Sequence, residues 1–220
     1  MATQAETLTV ERGSEKAAAR LLKWLPTGML LLAAILLVVS IAFPYWGLIL
    51  EAPQYPGGLQ MRVFVNEMTG DEDPRLDEVS EIDGLNHYIG MMSLYDAAAL
   101  ERSIAIPAVI IMIILLVVVA FLRRRWVWVL ALPAISFPFV FLADLGLWMR
   151  YYGQNLDPYA PLSSAIKPFV PPVLGEGVIG QFKTVAYVDT GWYLAVGAAA
   201  LIVVALLLRL VSARAAAGKA

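Results

Sequence analysis

The chain has 220 residues, of which 60 % are apolar and only 15 % charged, with a formal net charge of −2 and a mean hydropathy of +0.72. Soluble domains lie nearer roughly 45–50 % apolar and about 25 % charged, and here the apolar residues run in long unbroken stretches, so an ordinary soluble domain is excluded. The slightly acidic balance excludes a bulk attraction to nucleic acid. The absence of cysteine rules out disulfides, thiolate zinc sites, iron–sulfur clusters and cysteine nucleophiles together.

Taken in chain order, residues 1–24 form a polar tail carrying Arg12, Lys16, Arg20 and Lys23. Residues 25–50 hold no charge before Glu51 and read as a first membrane span, since about 20 helical residues cross a hydrocarbon core. The run is too long, and Phe43-Pro44-Tyr45-Trp46 too bulky, for a cleaved signal peptide. Residues 51–102 form an acidic loop domain with eleven carboxylates against three basic residues. This is either a solvated surface or a field that draws in cations or a basic partner. Within it, Leu59, Met61, Val63 and Val65 alternate as one face of a strand. Asp73 and Pro74 read as N-cap and first turn of a short acidic helix through Leu76, Val79 and Ile82, ending at Asp83-Gly84. Ser93 begins the helix that becomes the second span.

Residues 103–122 are the second span, Arg123-Arg124-Arg125 a tight basic turn, and residues 126–149 the third span, apolar except for Asp144. Residues 150–189, rich in Pro and Gly, read as irregular apart from a short helix near Ser163–Lys167. Residues 190–208 are the fourth span and residues 209–220 a basic tail. Gly191, Ala195, Ala199 and Gly197 give the last span the small-residue spacing of close helix packing. Pro44, Pro107, Pro133 and Pro138 predict kinks, for packing or as hinges of transport. Ten of the sixteen basic residues fall in the two tails and the short turn. That asymmetry places both termini in the cytoplasm and both long loops outside. The fold expected is an all-α four-helix membrane bundle, N-in and C-in, with a small, partly β extracytoplasmic cap, seated in the cytoplasmic (inner) membrane.

Candidate chemistry is sparse. His87 is the only histidine, and Met91 stands four residues on, so both would face the same way on a helical turn. Met92 is adjacent, and Met61 lies in the same loop. One imidazole with thioethers is a soft donor set suited to copper(I) and poorly suited to magnesium or calcium; the alternative is a structural histidine among core methionines. Asp144 is a carboxylate in a span, either paired with Arg150 or Arg102, or capping another helix, or part of a cation or proton path. With no Gly-rich phosphate loop, no His-Glu-x-x-His helix and no Ser-His-Asp set, a non-enzymatic protein is expected.

The segments Glu51-Ala52-Pro53-Gln54-Tyr55-Pro56-Gly57-Gly58-Leu59, Leu85-Asn86-His87-Tyr88-Ile89-Gly90-Met91, Pro171-Pro172-Val173-Leu174-Gly175 and Gly180-Gln181-Phe182-Lys183-Thr184 resemble a family of small four-span bacterial membrane proteins. That family is associated with the gene neighbourhoods of copper-enzyme maturation, notably of nitrous oxide reductase. The resemblance implies a copper context, with a lysine expected where this chain has Met92. Together with the residues above, three expectations stand. One is an accessory protein that takes up copper(I) through His87, Met91 and Met92 or Met61 and passes it to an extracytoplasmic copper enzyme or chaperone. Another is an assembly subunit of a membrane complex, in which Asn86 and His87 satisfy loop backbone groups. A small permease using Asp144 is the third.

Overall fold

The first apolar run breaks at Ser40. In the computed structural model, which describes residues 23–71, 76–124 and 126–217, helix α1 covers Lys23–Ser40, about 27 Å at 1.5 Å per residue. The chain then turns through Ile41–Tyr45 and continues as strand β1, Trp46–Ala52. The expected span over residues 25–50 is therefore two elements. Pro44 has no N–H to give a helix and pushes Phe43 out of the helical region. Beyond it the burial alternates: Trp46, Leu50 and Ala52 are buried on one face of β1.

The remaining elements are β2 (Tyr55–Val63), β3 (Met68–Thr69), α2 (Glu78–Tyr88), α3 (Ala99–Phe121), α4 (Leu132–Gln154, entered through a 3₁₀ turn over Val127–Ala131), β4 (Gly175–Ile179), β5 (Phe182–Val188) and α5 (Thr190–Ala217). Among the described residues, four helical segments, Lys23–Ser40, Ala99–Phe121, Val127–Gln154 and Thr190–Arg214, are long and apolar enough to cross a membrane.

The second long loop was expected to be irregular, but it supplies two strands of a five-stranded antiparallel sheet of order β3-β2-β1-β5-β4. Its alternation is plain in β5, where Phe182, Thr184 and Ala186 are buried. A two-residue turn closes β4 onto β5, with Ile179 paired to Phe182 and Gly180 at φ +61°. Residues 161–165 form turns, where a short helix had been expected.

The strand face carrying Trp46, Leu59, Met61 and Ala186 packs with Val79 and Ile82 of α2 and against Leu145 and Met149 of α4. The other cluster joins Leu30 and Leu37 of α1, Val109 and Leu116 of α3, Ala134 of α4 and Ala195 and Ile202 of α5. Gly191, Ala195, Ala198 and Ala199 are all buried, so the small-residue face of α5 is spent inside this bundle. The chain crosses between bundle and sheet at a seam beside α1 and α5. β1 leaves α1, β5 enters α5, and the two strands pair from Trp46↔Val188 to Glu51↔Lys183. Backbone bonds from Tyr45 N to Val63 O (2.8 Å), Asp189 N to Tyr45 O (3.0 Å) and Gly191 N to Pro44 O (2.8 Å) lock it.

Tyr45 lies fully buried at this seam, its hydroxyl 2.7 Å from Ser40 Oγ. Burial pushes its phenol from 10.0 up to about 12, against the smaller opposing effect of the Ser40 bond. The unfolded chain therefore ionises Tyr45 first. Its contribution to stability is complete below pH 10 and is lost as pH rises towards 12, by roughly 1 kcal/mol per pH unit. Tyr45→Phe is expected to flatten that part of the alkaline unfolding profile relative to the wild type. Equal slopes in both proteins would show that Tyr45 titrates freely.

Candidate functional site

The segment from Leu85 to Met91 forms the end of α2 and its stop. Gly90 N bonds His87 O at 3.1 Å and Met91 N bonds Asn86 O at 2.9 Å, the paired bonds of a Schellman closure, with Gly90 at φ +86° where a side chain is disfavoured. The closure is docked on the second loop: Asp157 N bonds Gly90 O (2.8 Å) and Leu162 N bonds Tyr88 O (3.0 Å).

Helix α2 therefore runs through the expected stop at Asp83-Gly84. Ile82 packs under the sheet, and a helix that keeps this residue buried can afford one interior glycine. Asp83 has another task, accepting from Leu94 N (2.5 Å) and Ser93 Oγ (3.0 Å). The N-cap of α2 is Asp77, which accepts from Ser80 N at 3.1 Å; Asp73 and Pro74 lie outside the described residues. Ser93 caps a separate 3₁₀ turn over Leu94–Asp96. Helix α3 starts afresh at Ala99, after Ala98 at φ +49°.

These features set the soft cluster. His87 is exposed, and its imidazole makes no hydrogen bond or ion pair among the described residues. It lines a depression of about 280 Å³ together with Met91, Met92 and Asp157. Met92 is 43 % exposed, whereas Met61 is only 5 % exposed, on the inner face of β2. Met61 lines a different cavity, which Met91 also reaches. Three of the four residues expected to supply soft donors thus line one depression and Met61 does not. Asn86 is half-buried and contributes the carbonyl that closes the helix. Among the described residues no three His, Asp or Glu side chains come together as a metal site.

The larger cavity, about 540 Å³, lies between α3, α4 and the underside of the sheet and is lined by Asp144, Glu101 and Arg102. Among the described residues Asp144 makes neither a hydrogen bond nor a salt bridge, so the expected pairing with Arg150 or Arg102 is not formed. Arg150 is exposed. Arg102 donates from Nη2 to Tyr95 O, while its Nε is buried without a partner.

Two charged residues have partners that local sequence does not announce. Glu78 is buried and accepts from Gln60 N at 3.2 Å and from Asp71 N, tying α2 to the sheet edge. Arg209, read as part of a basic tail, binds the end of α3 (Val119 O at 2.5 Å, Ala120 O at 2.6 Å) and Thr27 Oγ1 at 3.2 Å. The only available signal was a buried acid in the first turn of a helix and a cation in the last third of a span.

No protein-family model matches the chain, and no curated protein matches it significantly.

Proposed function

We propose that this chain is a non-enzymatic integral membrane protein of the cytoplasmic membrane, with α1, α3, α4 and α5 spanning the bilayer. Its sheet and α2 form an extracytoplasmic cap that holds copper(I) as cargo at His87, Met91 and Met92 for an extracytoplasmic copper enzyme or its chaperone. The basic residues support the sidedness: Lys23, Arg123, Arg124, Arg209 and Arg214 all lie at the bundle end away from the sheet. The observation that carries the copper reading is a depression lined by Met91, Met92 and His87, whose imidazole is exposed and unengaged. This donor set fits a soft monovalent ion and poorly fits hard divalent ones.

The assembly-subunit reading has one observation in its favour, the use of Asn86 O and Gly90 purely to close α2 and dock it. It also called for a buried, hydrogen-bonded His87, and the imidazole is neither. The motif thus divides: the backbone of Asn86, His87, Gly90 and Met91 builds the turn, and the His87 imidazole stays exposed on it.

Copper(I) titration of the purified protein against a competing chelator tests this. Near-stoichiometric binding is expected, weakened at least tenfold by His87→Ala and by Met91→Ala and left unchanged by Met61→Leu. Absence of binding in the wild type, or equal binding in all four proteins, would sink the cargo reading.

A further inference from the structure

We propose that the slot between α3 and α4 holds one acyl chain of a bilayer phospholipid whose headgroup carries a primary amine. This rests on the placement of the bundle in a membrane and is independent of the copper reading. The slot is walled by Ala105, Ala108 and Met112 of α3 and by Ser136 and Val140 of α4, and roofed by the sheet at Met61. Its margin opens sideways: Ile104 is 51 % and Val140 57 % exposed, on helix faces that a bilayer would cover.

Volume decides what can enter. A cavity of roughly 150 Å³ accepts the six carbons of benzene, so about 540 Å³ has room for on the order of twenty carbons, one fatty-acyl chain. A partner helix does not fit. A single turn, about 5.4 Å of a cylinder some 10 Å wide, already fills roughly 400 Å³, and a span needs more than five turns.

Charge decides the headgroup. Among the described residues, Glu101, Arg102 and Asp144 are the charged ones lining the slot, two carboxylates to one guanidinium. Arg102 is anchored by its bond to Tyr95 O and keeps an unpartnered Nε, a donor for a phosphate oxygen. A primary ammonium has three N–H groups to offer Glu101 and Asp144. A quaternary amine has none, and an anionic glycerol headgroup would face a net negative rim. Phosphatidylethanolamine meets all three groups with both charge and N–H donors; phosphatidylcholine brings the positive charge without a donor, and phosphatidylglycerol brings hydroxyl donors without the charge.

The test is native mass spectrometry of the full chain, recovered from the membrane fraction, delipidated in mild detergent and offered each of the three phospholipids. The wild type is expected to retain one phosphatidylethanolamine, at least tenfold over the other two. Ala108→Trp and Val140→Trp, which add bulk from opposite walls, are expected to lose at least nine-tenths of that lipid while keeping wild-type helix content; if one misfolds, the other decides. Asp144→Asn is expected to keep a lipid but lose the amine preference. Equal retention of all three lipids by the wild type, or full retention by a folded tryptophan variant, overturns the proposal. A chain found outside the membrane fraction overturns the membrane placement with it, whereas a membrane-borne chain without the one-to-one complex overturns this proposal alone.

Discussion

Gly90→Ala is expected to cost about 3 kcal/mol and to unlatch the second loop from α2. Two separable penalties add. A residue with a Cβ held at φ +86° pays roughly 1–2 kcal/mol for the left-handed conformation. The new Cβ would also lie 2.8 Å from Asp157 O, 2.9 Å from Asp157 N and 3.1 Å from Ala160 Cβ. Two of these are backbone atoms that cannot swing aside, and forced overpacking costs about 1–3 kcal/mol. Gly175→Ala isolates the first penalty, since Gly175 sits at φ +91° with nothing within 4 Å of its added Cβ; about 1 kcal/mol is expected there. Gly84→Ala supplies the opposite sign. It lies inside α2 with open space around it, so alanine should stabilise by roughly 0.5–1 kcal/mol through helix propensity. Chemical unfolding in detergent would rank the three, and hydrogen exchange at the Asp157 and Leu162 amides would report the undocked loop. Equal losses for Gly90→Ala and Gly175→Ala would mean the second loop moves freely away. Because Met91 and Asp157 line the same depression as His87, copper(I) affinity should fall with Gly90→Ala as well.

The number of long apolar helices was legible because about twenty uncharged residues in a row leave little else for a chain to do. The sheet was half-hidden for the same reason. Leu48, Ile49 and Leu50 continue the apolar run of α1, and a short apolar run cannot be told from a helix by periodicity alone; only Pro44 marked the border. In β5 the alternation of Phe182, Thr184 and Ala186 was present but sat in a stretch whose prolines and glycines suggested irregularity.

At the candidate site, the i, i+4 spacing assumed a continuing helical turn, but α2 ends at Tyr88 and Gly90 turns left-handed, so His87 and Met91 line one depression through the helix closure and not through helical spacing. What spacing could not give was the face of β2. Met61 alternates with its neighbours, and its side was fixed by α2 packing over the sheet through Val79 and Ile82. Asp144 was conspicuous as a carboxylate in a span, but its surroundings depend on the rotation of α4 against α3, which hydropathy does not encode. Glu78 and Arg209 were opaque in a stricter sense. Arg209 reaches residues 89, 90 and 182 positions away in the chain, and no local pattern records such partners.

Arg209→Leu is expected to cost about 3 kcal/mol, an effect that an ordinary basic tail residue at the end of a span would not produce. The last carbonyls of a helix lack intrahelical partners, and in α3 two of them, Val119 O and Ala120 O, accept from the Arg209 guanidinium at 2.5 and 2.6 Å. Thr27 joins the same knot, donating to Ala120 O at 3.2 Å and accepting from Arg209 Nη2 at 3.2 Å. One side chain of α5 therefore ties the sheet-distal ends of α1 and α3 together, and its charge sits at the negative end of the α3 dipole. Charge-assisted bonds are worth about 1.5–3 kcal/mol each, and a stranded acceptor adds its own penalty. Arg209→Lys should recover less than half of the loss, because a point ammonium cannot fork between two carbonyls and a hydroxyl. A double-mutant cycle with Thr27→Val should give a coupling of about 0.5–1 kcal/mol, the size measured for hydrogen bonds between membrane helices. A loss under about 1 kcal/mol for Arg209→Leu would mean that water replaces the guanidinium at no cost. The packing of Leu30, Leu116 and Ile202 would then hold the three helix ends by itself.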